Sequence, residues 1–182
     1  MKKEYFIMIR KILFIFFLSI YTVNGFSQEK SIFDIARNGS LIELKAAEKK
    51  NPEIINKVSK EGYTPLTLSC YSGNNEVAKY LINNVKNINA KSGYGTPLMA
   101  AVVKSNTELV MLLIKKKVNI NATDPNGTTA LHYAVMFDLE EITKLLVAAK
   151  ASITLKDNRG NSALDYAKIK GNSNIIQLLN NK

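Results

Sequence analysis

The sequence predicts an all-α solenoid of helix–turn–helix repeats, because one short motif recurs at a constant interval. The equivalent first residues of the motif are Thr64, Thr96, Thr129 and Ser162. They are separated by 32, 33 and 33 positions, and each motif is followed by an apolar segment and then by turn-forming residues. A constant period near 33 residues indicates a repeat array, in which each copy packs against its neighbours.

The first helix of each copy begins at this motif. A threonine or serine hydroxyl caps a helix by accepting a hydrogen bond from a free N–H of the first turn. Pro65 and Pro97 then stand at the first helical position, where no N–H is needed. All four copies continue with a leucine on the buried side and, five residues after the cap, a small residue that lets a neighbouring helix approach. The leucines are Leu66, Leu98, Leu131 and Leu164, and the small residues are Ser69, Ala101, Ala134 and Ala167.

Glycine marks the end of the first helix in two of the copies. Gly73 and Gly171 lie nine residues after the cap, where a glycine can adopt the left-handed conformation that ends a short helix. Ser105 and Asp138 stand at the equivalent place in the other two copies. We therefore expect looser turns at these two positions.

A second helix and a connecting segment complete each copy. The second helices are predicted from the apolar pairs Leu81-Ile82, Leu112-Leu113, Leu145-Leu146 and Leu178-Leu179. In the connecting segments, Ile88, Ile120 and Ile153 are expected to point inward. Sequences such as Asn126-Gly127 predict tight turns. We interpret Asn119 and Asn121 as structural residues.

The motif resembles the ankyrin repeat, whose signature is T-P-L-H-x-A, and residues 129–134 are the best match in the chain. The resemblance covers about residues 29–182. It implies an α-solenoid whose helix pairs are linked by β-hairpin-like fingers. We assign a domain to residues 28–182, with a diverged N-terminal repeat followed by four repeats. The repeats span residues 28–61, 62–93, 94–126, 127–159 and 160–182.

The diverged repeat lacks the Thr-Pro pair but keeps a small residue, two variable positions and Gly39 in register. Asn51-Pro52 interrupts its second helix, because the residue before a proline disfavours the helical conformation. Ile54, Ile55 and Val58 are then expected to return to the core. An irregular terminal repeat fits a cap that shields the end of the array.

Residues 1–27 are predicted to be a secretory signal peptide. Lys2, Lys3, Arg10 and Lys11 form a basic segment, residues 12–23 are apolar, and small residues follow at Gly25 and Ser27. We expect cleavage after Gly25 or Ser27 and a periplasmic or secreted protein. The alternative is an uncleaved segment that anchors the protein to the inner membrane.

The formal net charge is +10, from 25 basic and 15 acidic residues. Four basic residues and Glu4 precede Gln28, so residues 28–182 keep about +7 of this charge. The lysines are scattered, and no RNA-binding signature with interleaved aromatic residues is present. We interpret the charge as a solvated basic exterior and expect no nucleic-acid partner.

Catalytic and metal-binding chemistry have little support in the sequence. His132 is the single histidine, which excludes a two-histidine metal motif, and Cys70 is the single cysteine. As a pair they could serve as nucleophile and base in a small enzyme. Both positions are explained by the repeat, where the family uses the histidine to brace neighbouring loops. We therefore expect neither a cofactor nor catalytic activity.

Binding residues are expected seven and eight positions after each cap, since the resemblance implies that these face the concave groove and vary with the partner. The first set is Tyr71, Val103, Met136 and Ile169, and the second is Ser72, Lys104, Phe137 and Lys170. Tyr94 and Arg159 are added at the tips of the fingers. The alternative interpretation is that half of these side chains are semi-buried between helices.

The sequence as a whole predicts a monomeric, non-catalytic module that binds another protein through its concave face. The main alternative is a membrane-anchored envelope protein that inhibits or protects an enzyme or toxin of the same cell. The small enzyme that would use Cys70 and His132 is the second alternative.

Overall fold

A computed structural model describes residues 30–93 and 95–180 of the chain. Contacts divide the chain between Lys30 and Ser31, and the fold described below belongs to the second of the two units. The predicted signal peptide at residues 1–27 and the predicted binding residue Tyr94 lie outside the described residues. In the described ranges no helix is long and apolar enough to cross a membrane.

Ten α-helices and one 3₁₀ helix, with no β-strand, form the described part of the chain. The helices are α1 (Ile32–Asn38), α2 (Leu41–Lys50), α3 (Pro65–Ser72), α4 (Asn75–Asn84), α5 (Pro97–Val103), α6 (Thr107–Lys115), α7 (Ala130–Met136), α8 (Glu140–Ala148), α9 (Ala163–Lys170) and α10 (Ser173–Asn180). The 3₁₀ helix Pro52–Asn56 follows α2. The all-α prediction is confirmed.

The helices form two layers. The first helices α1, α3, α5, α7 and α9 pack each against the next, and the second helices α2, α4, α6, α8 and α10 do the same. Small residues five positions after the caps allow this approach, and all four are completely buried. The core is therefore continuous along the stack and belongs to no single repeat.

The predicted caps are present in all four copies. The cap side chain accepts a hydrogen bond from the N–H of the third helical residue in α3, α5, α7 and α9. In α7, for example, Thr129 Oγ1 accepts from His132 N–H. These bonds satisfy donors that would otherwise remain free at each helix start.

The two turns without glycine are as closed as the turns with glycine, so the expectation of looser turns is wrong. Ser105 and Asp138 adopt φ values of 53° and 55°, in the same left-handed region as Gly73 and Gly171. The next residue after Ser105, Asn106, donates its N–H to Ala101 O at 2.9 Å, and the corresponding bond after Gly73 is 3.0 Å. The helices on either side require this turn, so Ser105 and Asp138 adopt a left-handed backbone conformation that costs more for a residue with a Cβ atom than for glycine.

Two expectations about the core are also wrong. Leu164 is only half-buried, because no further helix pair of the described chain covers that side of α9. Val58 is 57% exposed. It stands one residue before Ser59, the residue equivalent to Ser92, Asp124 and Asp157 in the later fingers. Val58 is therefore equivalent to the exposed Lys91 and Lys156, and Ile55 is the residue that fills the inward-pointing isoleucine position.

The fingers are loops closed by single antiparallel bridges, which pair Ser92 with Gly95, Thr123 with Thr129 and Lys156 with Ser162. Adjacent fingers lie very close together. Asn158 donates its N–H to Asn126 O at 2.9 Å. A Cβ atom on Gly127 would lie 2.7 Å from Asn158 Oδ1, so glycine is required there by contact as well as by its φ of 75°.

An asparagine ladder links successive repeats at the start of the fingers. Asn56, Asn89 and Asn121 occupy equivalent positions, and the Oδ1 atom of each accepts a backbone N–H from the next repeat. The donors are Lys86, Asn119 and Ser152, at 2.8, 2.8 and 2.7 Å. The structural interpretation of Asn121 is confirmed, and Asn119 takes part through its backbone N–H and by accepting from Asn121 N–H.

Candidate functional site

The residues seven positions after the caps form one line along the first helices, which we call the inner row. Tyr71 is 51% exposed and Ile169 is 71% exposed, whereas Val103 and Met136 are half-buried. Arg37 is the fifth member, because it lies two residues before Gly39 as Tyr71 lies two residues before Gly73. The sequence-based site omitted Arg37, although the glycine register provides the signal that places it.

The residues eight positions after the caps form a second, more polar line. Phe137 is 51% exposed and stacks on Tyr133, with ring centroids 6.2 Å apart and an interplanar angle of 12°. The Lys104 ammonium lies 5.4 Å from the centroid of the Tyr71 ring, within the range of a cation–π interaction. Aromatic and cationic side chains therefore lie side by side on this face.

Lys170 makes two polar contacts with the preceding repeat. Its Nζ donates to Met136 O at 2.9 Å and lies 2.8 Å from Asp138 Oδ2. The hydrogen bond from Lys170 is the main reason that the pKa of Asp138 lies below its usual value. Lys170 thus connects α9 to the end of α7.

A cavity of about 260 Å³, here the first cavity, opens beside the inner row in the N-terminal half of the stack. It is lined by Arg37, Tyr63, Thr67, Leu68, Tyr71 and Ala100. The lining is apolar and aromatic, with one guanidinium group and no carboxylate. Ala100 makes room for the cavity, because Tyr133 and Tyr166 occupy the equivalent position in the later repeats.

A second cavity of about 240 Å³ lies between α7, α9 and the last two fingers. Its lining residues are Asn126, Thr128, Tyr133, Met136, Asp157, Asn158, Arg159 and Tyr166. The structure therefore brings the predicted residues Met136 and Arg159 together. Helices and fingers bound a common groove at this cavity.

The two tyrosines of the second cavity are fixed by carboxylates of the fingers. Tyr133 donates its hydroxyl to Asp124 Oδ2 at 2.7 Å, and Tyr166 donates to Asp157 Oδ2. Burial, with the bond to Asp124, raises the pKa of Tyr133 to about 12. The bond from Tyr166 lowers the pKa of Asp157. Each ring is thus held by its hydroxyl and lines the groove.

Cys70 and His132 do not form a nucleophile and base. They lie on α3 and α7, and α5 packs between these two helices. Cys70 is completely buried, which raises the pKa of its thiol to about 12 and disfavours the thiolate. Both ring nitrogens of His132 are engaged, with Nδ1 near Thr129 and Nε2 3.1 Å from Asn161 O.

His132 instead joins one repeat to the next finger. A carbonyl oxygen can only accept, so Nε2 carries the proton and donates to Asn161 O, while Nδ1 accepts from Thr129 N–H. This is the bracing role that the resemblance implied. In the described residues no cluster of three or more potential metal ligands occurs.

Helix pairs with capped starts, left-handed turns and bridged fingers define a solenoid of about 33-residue helical repeats. A family model described as ankyrin repeats (3 copies) matches residues 32–124 and 104–182. The chain belongs to the ankyrin repeat family. Members of this family are generally protein–protein interaction modules and are typically non-catalytic scaffolds. No curated protein matches the chain.

Proposed function

We propose that the chain is a non-catalytic adaptor that binds a partner protein through the groove between the first helices and the fingers. The observation that carries the proposal is the row of exposed apolar side chains on the first helices. Tyr71, Phe137 and Ile169 are each at least half exposed. Large apolar side chains that are exposed along one face of a fold indicate an interaction site, because a partner can remove them from water.

Phe137 and Tyr71 are the proposed anchors of the interface. Interface hot spots favour large aromatic residues and arginine surrounded by contacts that exclude water. Stacking on Tyr133 holds the Phe137 ring in place before binding, and Lys104 does the same for Tyr71. Less conformational freedom is then lost when the partner binds. Lys104, Arg159 and Lys170 form the proposed polar rim.

The test is a titration of a partner captured from the cell envelope against two variants of the full chain. Phe137→Ala should weaken binding by about 2 kcal/mol, the loss expected of a hot-spot residue, with little change in stability. Lys144→Ala is the matched control, because Lys144 lies on the second helix α8 and pairs only with Glu140 one turn earlier. If Lys144→Ala abolished binding while Phe137→Ala did not, the convex side would be the binding face.

We further propose that this adaptor is exported and acts in the periplasm or outside the cell. The basic, apolar and small-residue segments of residues 1–27 support this proposal. N-terminal sequencing of protein from the envelope fraction should find a chain that begins near Phe26 or Gln28. An intact Met1 in a soluble cytoplasmic pool would contradict export.

An intact Met1 in the membrane fraction would favour the alternative, an envelope protein held by its N-terminal segment. Such a protein would inhibit or protect an enzyme or toxin of the same cell. The captured partner distinguishes the two, because the alternative requires an enzyme or toxin whose activity changes when the chain is added.

A further inference from the structure

The geometry points to recognition of an extended, acidic segment of the partner, which inserts one aromatic side chain into each of the two cavities. This inference rests on the proposed function and adds the shape and chemistry of the bound segment. Its two contact regions are the first cavity, beside Tyr71, and the second cavity, beside Tyr133 and Met136.

Each cavity has the size of one side chain. The volumes of about 260 and 240 Å³ are below the roughly 300–1,000 Å³ of sites that enclose whole small ligands. The apolar part of each lining comes from Leu68 and Tyr71 in the first cavity and from Met136, Tyr133 and Tyr166 in the second. Polar groups of the second cavity come from Asn126, Thr128, Asp157, Asn158 and Arg159. An aromatic ring fits such walls, since it stacks against tyrosine faces.

The side chains of the second cavity are preorganised for binding. The hydroxyls of Tyr133 and Tyr166 are already bonded to Asp124 and Asp157, so the rings do not need to reorganise. Those carboxylates also accept backbone N–H groups of their own fingers, from Thr128 and Asn161. The walls of the cavity are therefore fixed relative to each other, which reduces the entropy lost on binding.

The separation of the cavities sets the spacing of the two anchors. The first cavity is centred on α3, and the second lies between α7 and α9, about two and a half helix spacings further along. Packed helices lie roughly 8–10 Å apart, so the cavities are roughly 20–25 Å apart. An extended chain advances about 3.3 Å per residue and therefore needs about six to eight residues to cover this distance.

The surface between the cavities favours an extended segment over a helix. A docked helix needs a continuous apolar groove for anchors at every third or fourth position. Here Lys104 interrupts the apolar surface, and no carboxylate of the described residues lies within ion-pair distance of it. Its exposed ammonium favours acidic residues between the two anchors, as does the excess of basic residues over the chain.

A series of synthetic peptides tests the spacing. Each peptide carries two phenylalanines, separated by three, six, eight or fifteen positions, with glutamate and serine alternating between them. The six- and eight-position peptides should bind the mature chain at least about tenfold more tightly than the same peptides with one phenylalanine replaced by alanine, because the second anchor binds at high effective concentration. Fluorescence anisotropy at fixed ionic strength measures the affinities.

Two variants assign the anchors to the cavities. Tyr71→Ala and Met136→Ala should each reduce the affinity of the two-anchor peptides to that of the one-anchor peptides. Lys144→Ala should leave the series unchanged, and thermal melting of each variant confirms that it is folded. Lys104→Gln should lower the affinity of the glutamate peptides and have little effect on versions in which glutamine replaces glutamate.

Three results would overturn the inference: no gain from the second phenylalanine, a best spacing of fifteen positions, which indicates a helix, or full affinity in Tyr71→Ala. Any of them is compatible with a captured partner that still depends on Phe137, in which case the groove remains the binding face. A partner that depends on α8 and ignores Phe137 would contradict the proposed function itself.

Discussion

The N-terminal half of the stack, from α1 to α5, and the C-terminal half, from α7 to α10, have the same backbone arrangement but different side-chain contacts. In the C-terminal half, aspartates organise the fingers, tyrosines bind those aspartates, and His132 reaches the following finger. In the N-terminal half, Ser59 and Ser92 stand where the aspartates would be, and Met99 takes the place of His132. The first helices are nevertheless capped in the same way and stacked in the same order.

This difference distinguishes the buried residues, which specify the fold in both halves, from the polar contacts, which stabilise it locally. The leucine and small-residue positions are shared by both halves and are buried in both, with Leu164 as the exception at the end. Among the described residues, the Tyr–Asp bonds occur in the C-terminal half, so they are not required for the repeat to form. We therefore expect the shared core to determine the stability of the array, and the network to add smaller, local contributions.

The largest expected effect tests whether the core positions are equivalent in the two halves. Leu66→Ala and Leu131→Ala should each lower the free energy of unfolding by about 2–5 kcal/mol, because each removes a completely buried leucine from an inner repeat. Leu179→Ala should lower the melting temperature less, since damage at a terminal repeat interrupts the array least. Calorimetry of the three variants gives the order, and an equal or larger loss for Leu179→Ala would contradict the stacking model.

The next effect concerns the bridge to the following finger. His132→Met gives the repeat of residues 127–159 the side chain that Met99 provides in the repeat of residues 94–126. It should cost about 1–3 kcal/mol, because Asn161 O keeps only its bond from Asp157 N–H and the buried N–H of Thr129 loses its imidazole acceptor. Chemical denaturation measures the loss. The reverse change, Met99→His, is the matched control, and it should fail to stabilise the chain if the following finger lacks the complementary geometry.

The Tyr133–Asp124 bond gives a pH-dependent contribution. Tyr133→Phe should cost about 1 kcal/mol at neutral pH, since it leaves one oxygen of Asp124 without this donor. The folded pKa of Tyr133, about 12, is raised above its usual value of 10, so the stabilisation is complete below pH 10 and is lost as the pH rises to 12. The stability difference between the two chains should therefore shrink over this interval. A constant difference would show that burial and the bond to Asp124 do not raise the pKa of Tyr133.

A buried hydroxyl in the C-terminal half predicts a stabilising substitution. Thr143 is completely buried on α8, and its Oγ1 has no hydrogen-bond partner in the described structure. Val110 fills the equivalent position on α6. Thr143→Val should raise the free energy of unfolding by about 1 kcal/mol, because it removes an unpaired polar group at nearly constant volume. Val110→Thr should have the opposite effect, and a destabilised Thr143→Val chain would point to an unseen partner for the hydroxyl.

The smallest effect concerns the turns between the two helices. Ser105→Gly should stabilise the chain by about 0.5 kcal/mol, since glycine adopts a positive φ without steric cost. Ser105 is a cleaner test than Asp138, whose carboxylate pairs with Lys170. Gly73→Ser is the reciprocal change and should destabilise. If both changes left the melting temperature unaltered, the strain assigned to these turns would be absent.

Much of the fold was predictable, because its signals are periodic. The caps, the leucines and the small residues repeat in register, and the structure confirms the helices that they predict. The errors arose where the register was not carried through. Val58 is apolar, but its register in the first finger matches the exposed Lys91 and Lys156. At Ser105 the packing of the two neighbouring helices, and not the residue type, determines the conformation.

The candidate site was predictable only in outline. Positions on the inner row follow from the repeat, but the cavities depend on how side chains from two or three repeats meet. The cavity beside Tyr71 exists because Ala100 is small and Arg37 borders it from another repeat. The volume of a cavity cannot be read from spacing. The two Tyr–Asp pairs share an interval of nine residues, but spacing alone does not show that a side chain of the finger meets the ring of the following helix.

The asparagine ladder has a mechanical consequence. Each of its three rungs connects one repeat to the next, so the rungs lie in series along the stack, beside the packed helices. A chain of links in series yields at its weakest link first. The fourth repeat, residues 127–159, has Thr154 where the earlier repeats have Asn56, Asn89 and Asn121, so among the described residues no asparagine rung joins it to the last repeat. Under tension between its ends, the stack should therefore unfold one repeat at a time and lengthen in steps.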